Sequence, residues 1–235
     1  MTVTTGIDIE AVLFDLDDTL YDRSEAFRRW GAAFVAERLG LLEGAECAAA
    51  LDWLAAADGN GYCPRPEFAR AVLARFPQVD QPVSEFVTAF RIGLVAAIVP
   101  DTATDRLLDT LARRAIPFGI VTNGSTEQQT RKIRHLGLAE RAACVLISES
   151  FGRKKPSPDI FLAAAVQIGQ SPERILFVGD HPDLDIAGAQ AVGMKTAWVR
   201  RGREWPAECT ISPDIAIDRL DELAPLVARP AGSAA

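Results

Sequence analysis

AVLFDLDDTL, residues 11–20, runs an apolar segment directly into three carboxylates, Asp15, Asp17 and Asp18. Residues 11–14 are apolar at every position, the pattern of a parallel strand covered on both faces, so the end of the segment is buried and crowded. Carboxylates held together repel, and one of them takes a strongly raised pKa unless a cation or fixed donors intervene. The cluster therefore implies a bound ion, and its all-oxygen ligands point to Mg²⁺. Alternation along an extended chain turns Asp15 and Asp17 to one side and Asp18 to the other, leaving a two-carboxylate working face. A solvated turn with an aspartate capping the next helix also explains a lone DxD, and Asp18 suits that role.

Beyond residue 115, short apolar runs ending in turn residues alternate with helix-like segments, the signature of a parallel α/β sheet. The strands are expected at 117–122, 143–147, 174–179 and 195–199, with a weaker one at 214–217. Ser125 and Gln128 form an S-x-x-Q capping box opening a helix at 126–136, and Ser157-Pro158 supplies an N-cap followed by a first-turn proline. Gly137 and Gly169 end those helices, a third runs from Pro182 to 192 with Gly193 as its stop, and a terminal helix spans 219–228. A disordered tail is expected over 229–235.

The gap between Asp15 and the strand near Pro117 far exceeds a single crossover, so a segment is inserted there. Residues 24–39, 44–57, 66–76 and 82–98 carry helical apolar spacing, as in Phe27, Trp30 and Phe34 or Phe86, Phe90 and Leu94. An all-helical subdomain over 22–99 is expected, interrupted by the turn-rich DGNGYCPRP at 58–66. The core domain is then 1–21 plus 100–228.

A net charge of −7, from 25 basic and 32 acidic residues, argues against nucleic acid or an anionic membrane as partner and favours a small substrate. Cys47, Cys63, Cys144 and Cys209 are widely spaced with no zinc-ligand pattern and read as reduced thiols of a cytoplasmic protein. No segment approaches the roughly 20 apolar residues of a membrane span, and the N-terminus has no signal-peptide pattern. The chain is expected to be a monomer or a homodimer.

Ligands of parallel α/β sheets bind outside the carboxyl ends of the strands, so the residues there form one set: Asp15 and Asp17, then Thr122, Asn123 and Gly124, then Lys155, then Asp180 and Asp185. Carboxylates can hold Mg²⁺, a hydroxyl and backbone N–H groups can hold phosphate oxygens, and a lysine adds a point charge. Taken singly, Asn123-Gly124 is a turn, Lys155 beside Lys154 is a solvated charge, and Asp185 is a first-turn acid favoured by the helix dipole. Their joint placement favours metal and phosphate.

These residues resemble the haloacid dehalogenase-like (HAD) superfamily of phosphohydrolases from Val12 to about Val227. The first motif, DxDx(T/V), stands as Asp15-Leu16-Asp17-Asp18-Thr19, and the second as Thr122 in IVTNG. The third, KPxPxIF, is Lys155 through Phe161, its prolines selecting Lys155 over Lys154. The fourth is Gly179-Asp180 through Asp185, Gly188-Ala189 and Gly193-Met194. The resemblance implies a three-layer Rossmann-like core with a parallel sheet and an inserted helical cap.

It also implies a Mg²⁺-dependent phosphatase acting on a small phosphorylated metabolite. Asp15 is then the nucleophile and Asp17 the general acid and base. Mg²⁺ is held by Asp15, Asp180 and the backbone carbonyl of Asp17. Asp185 orients water or Lys155, while Thr122, the Asn123 backbone and Lys155 clamp the phosphate. Asp17 argues against dehalogenation, since the dehalogenases of the superfamily lack this acid. Asp18 stands where the family often has glycine, and His181-Pro182 is a less usual pair that could reach toward the site. Transfer of the phosphoryl group to a sugar hydroxyl, as in a phosphomutase or phosphotransferase, uses the same phospho-aspartate. A non-enzymatic phospho-receiver fits less well, because its acidic pair and acceptor lie on different strands and it carries no large insertion.

Overall fold

The run at residues 11–14 is a fully buried strand, β1 (Ala11–Phe14), in a computed structural model that describes residues 8–227. The expected tail and the last residue of the expected terminal helix lie outside the described residues. Five more strands join β1: β2 (Phe118–Thr122), β3 (Cys144–Ile147), β4 (Ile175–Gly179), β5 (Lys195–Val199) and β6 (Ile215–Ile217). They form one sheet in the order β3-β2-β1-β4-β5-β6, parallel at every pairing. Parallel strands need covering on both faces, and the side chains of β1 divide accordingly. Ala11 and Leu13 join Phe177, Ile160 and Phe161 in one core cluster, while Phe14 meets the Phe118 ring edge-on at 6.0 Å.

The segment Asp22–Val99 forms a compact unit of its own, and the described residues on either side of it form the other. Its helices are α1 (Arg23–Leu39), α2 (Ala45–Asp58), α3 (Arg65–Arg75) and α4 (Val83–Ala96). Their apolar positions converge on rings: Trp30 lies 5.3 Å from Phe34 and 4.7 Å from Phe90, centroid to centroid, with Phe27, Phe68 and Phe86 around them. The turn-rich stretch is reduced to a 3₁₀ turn, Gly59–Gly61, and α3 opens at Arg65. The buried Asp58 carboxylate holds it by pairing with Arg23 at 2.8 Å and Arg65 at 2.6 Å.

In the sheet unit the crossovers are α5 (Thr102–Arg113), α6 (Thr126–His135), α7 (Ser148–Phe151) and α8 (Pro158–Ile168). The Ser125 hydroxyl caps α6 by accepting from the Gln128 N–H at 3.4 Å, whereas Ser157 caps α8 by position alone. Two helices differ from expectation. The segment from Pro182 is a π-helical turn, Pro182–Ala187, that tightens into α9 (Gly188–Gln190). The terminal helix is only a 3₁₀ turn, Leu220–Leu223, with Leu220 and Leu223 buried.

Candidate active site

β1 is where the strand order reverses, with β2 on one side and β4 on the other, so the loops after these strands border one crevice at the carboxyl edge of the sheet. Asp15 stands first in it, 6% exposed, its backbone N–H donating to the Val178 carbonyl at 2.9 Å. Lys155 reaches it from the loop between α7 and α8, with Nζ 2.5 Å from Asp15 Oδ1 and 2.7 Å from Asp185 Oδ1. Asn123 fixes that loop: its side chain accepts from the Lys155 N–H at 2.9 Å and donates to the Lys155 carbonyl at 3.1 Å. The Lys155–Pro156 peptide is cis.

Asp185 approaches from the π-helical turn. Its second oxygen accepts from the backbone N–H groups of Asp180 at 3.2 Å and His181 at 3.0 Å, so it closes the turn as well as meeting Lys155. Gly179 makes this possible, since a Cβ there would lie 2.4 Å from the Asp185 Cβ. Asp180 stands beside them, its carboxylate accepting from Arg203 at 2.9 Å and its carbonyl from the Trp198 indole at 2.8 Å. One oxygen from each of Asp15, Asp180 and Asp185 lies within 4.8 Å of the others.

That crowding governs the electrostatics. Burial pushes the Asp15 carboxyl well above its ordinary range, and the like charges of Asp185, Asp180 and Asp17 outdo part of what Lys155 restores. Burial, then the Asp185 charge, raises Asp180 to about 7 against the pull of Arg203. For Lys155 burial works against the ammonium, but the Asp15 and Asp185 carboxylates outweigh it and raise its pKa. Three clustered acids share only Lys155 and Arg203 as cationic partners, and a divalent cation with oxygen preference fits that donor set.

The Asp17 carboxylate is not in this trio. Its oxygens accept from Lys132 Nζ at 2.6 and 2.9 Å, from Gln129 Nε2 at 2.8 Å, and from the Tyr21 hydroxyl. Gln129 Nε2 also lies 2.6 Å from the Thr122 hydroxyl, which is wholly buried at the end of β2. Asp18 turns away with φ of 55°, and Arg201 braces this turn by donating to the carbonyls of Asp18 at 3.0 Å and Thr19 at 2.9 Å. The His181 Nδ1 accepts from the N–H groups of Asp183 and Leu184 and so caps the turn. Gln129, Lys132 and Tyr21 carry no signal in the sequence that marks them as site residues. On α6 the first two sit among Arg131, Arg134 and His135, a run that reads as a solvated face, and only tertiary placement distinguishes them.

A parallel sheet with acid-tipped strands at its switch point and a helical unit inserted after the first strand places the chain among the Rossmann-like α/β proteins. The family profile of haloacid dehalogenase-like hydrolases matches residues 9–193. The chain is 34% identical over 229 residues to a glyceraldehyde 3-phosphate phosphatase of Methanopyrus kandleri, covering 93% of this chain and 97% of the relative. It is 30% identical to a phosphoglycolate phosphatase of Escherichia coli O157:H7, covering 95% and 94%. The HAD hydrolase YfnB of Bacillus subtilis, crystallised with magnesium, shares the fold at a TM-score of 0.72 and 24% identity, over 93% of this chain and 98% of that one. The chain belongs to the haloacid dehalogenase-like hydrolase family. Its members typically use a divalent metal, and the trio of Asp15, Asp180 and Asp185 is a group able to hold one. No helix among the described residues is long and apolar enough to cross a membrane.

Proposed function

We propose that the protein is a Mg²⁺-dependent phosphatase that hydrolyses a small phosphorylated metabolite through an aspartyl-phosphate on Asp15. The observation that carries this reading is the buried Asp15 carboxylate, in contact with Lys155 at 2.5 Å and within 4.8 Å of Asp180 and Asp185. Mg²⁺ would be held by Asp15 and Asp180 with the Asp17 carbonyl, Asp185 supporting, and would supply neutralisation of charge on phosphoryl oxygens.

Asp15 attacks phosphorus while Asp17 gives its proton to the departing alcohol. Asp17 then takes a proton from the attacking water, so one residue serves both displacements. Lys155 and the Thr122 hydroxyl, with the Asn123 backbone, hold the phosphate oxygens. The unit Asp22–Val99 acts as the cap and selects the substrate. It leaves the core directly after Tyr21, whose hydroxyl meets Asp17, and returns at Pro100. The four cysteines are free thiols, which suits a cytoplasmic setting.

Phosphate release from a panel of phosphorylated sugars and small acids, with and without Mg²⁺, tests the proposal. Asp15→Asn should abolish turnover with the fold intact, and Asp17→Asn should lower kcat by about 10²–10⁴-fold. Full activity of Asp15→Asn would overturn it.

A further inference from the structure

Two side chains of α6, three positions apart and so on one face of the helix, converge on the acid of the loop after β1. Lys132 is 5% and Gln129 2% exposed, burial that such long polar side chains rarely tolerate without tight pairing. Lys132 touches both oxygens of the Asp17 carboxylate, at 2.6 and 2.9 Å. Gln129 spans from that carboxylate, at 2.8 Å, to the Thr122 hydroxyl, at 2.6 Å. Here the charge-assisted bonds cover both oxygens, and the amide joins the acid/base residue to the hydroxyl assigned to the phosphate.

We propose that Lys132 and Gln129 are positioning residues for the second displacement, an inference that rests on the phosphatase reading above. After Asp17 has given its proton to the leaving alcohol it is a carboxylate, the form that Lys132 and Gln129 grip. Held there, it takes a proton from water as the water oxygen bonds to phosphorus. The bond between phosphorus and the Asp15 oxygen breaks, which releases inorganic phosphate and restores the Asp15 carboxylate. The first displacement needs Asp17 in the other form, so losing the grip should slow the second step more than the first.

Rapid mixing of the full-length Mg²⁺-loaded enzyme with p-nitrophenyl phosphate separates the two steps, because nitrophenolate leaves in the first and phosphate in the second. Lys132→Met should slow dephosphorylation by about tenfold or more relative to phosphorylation. It should show a burst of nitrophenolate near one per active site and a phosphorylated protein by intact mass, and Lys132→Arg should diminish both. Gln129→Met, read in the same way, decides the matter if Lys132→Met does not fold. Equal slowing of the two steps, with no accumulating phosphoprotein, would overturn the proposal. Failure of the wild-type enzyme to turn over any phosphate ester would instead overturn the phosphatase reading.

Discussion

Asp18 carries φ of 55°, a left-handed conformation that costs a side chain with a Cβ but that glycine adopts freely. The turn lets the chain loop back within a few residues of β1 so that Tyr21 lies beside Asp17. Asp18→Gly should therefore raise stability by roughly 0.5–1 kcal/mol, a shift of about 1–4 °C in Tm, measured by thermal unfolding. A fall in Tm would mean that the side chain contributes more than the backbone strain costs. Among single residues, those ending strands are the most legible in the sequence, because an apolar run fixes where the residue at its carboxyl end must sit. Asp15 and Asp180 fall into that group, and Lys155 is marked instead by the prolines after it. Lys132 and Gln129 are not legible, since a polar helical face looks the same whether water or a carboxylate opposes it.

Elements are legible where one periodicity dominates. The strands have apolar runs bounded by turn residues, and all five expected beyond residue 115 are present. α5 is absent from the helices expected by sequence, although Asp101 caps it and Leu107, Leu108 and Leu111 mark its buried face. It lies between the inserted unit and β2, just after Pro100. The expected helix from Pro182 became a π-helical turn because Asp185 is drawn back toward Lys155 and the N–H groups of Asp180 and His181, a demand from outside the helix. In the inserted unit, helices pack closely where side chains are small. A Cβ on Gly93 of α4 would stand 2.9 Å from the Trp30 indole of α1. Gly93→Ala should thus overpack the aromatic core and cost about 1–3 kcal/mol despite alanine's better helix propensity, as read by denaturant unfolding. A stabilised variant would show that Trp30 can move aside freely.

Across the whole molecule, the fold brings carboxylates from two distant loops into one buried group, and the resulting charge ties stability to pH and to metal. In the metal-free protein Asp180 keeps its proton up to about pH 7, whereas the unfolded chain releases it near the ordinary value of 3.8. Between those values the folded state binds more protons than the unfolded one, so stability falls as pH rises through the window and levels off above it. Asp15, raised as well by burial, acts with the same sign. A divalent cation must displace these protons, so its binding strengthens with pH and adds stability through mass action. Thermal unfolding at about pH 5.5 and about pH 8 should show a lower Tm at the higher pH without Mg²⁺, and a larger Mg²⁺-induced rise there. Asp180→Asn removes the raised acid and should flatten the metal-free profile while weakening the Mg²⁺ effect. A Mg²⁺ shift independent of pH in the wild-type protein would mean that the ion binds away from this trio.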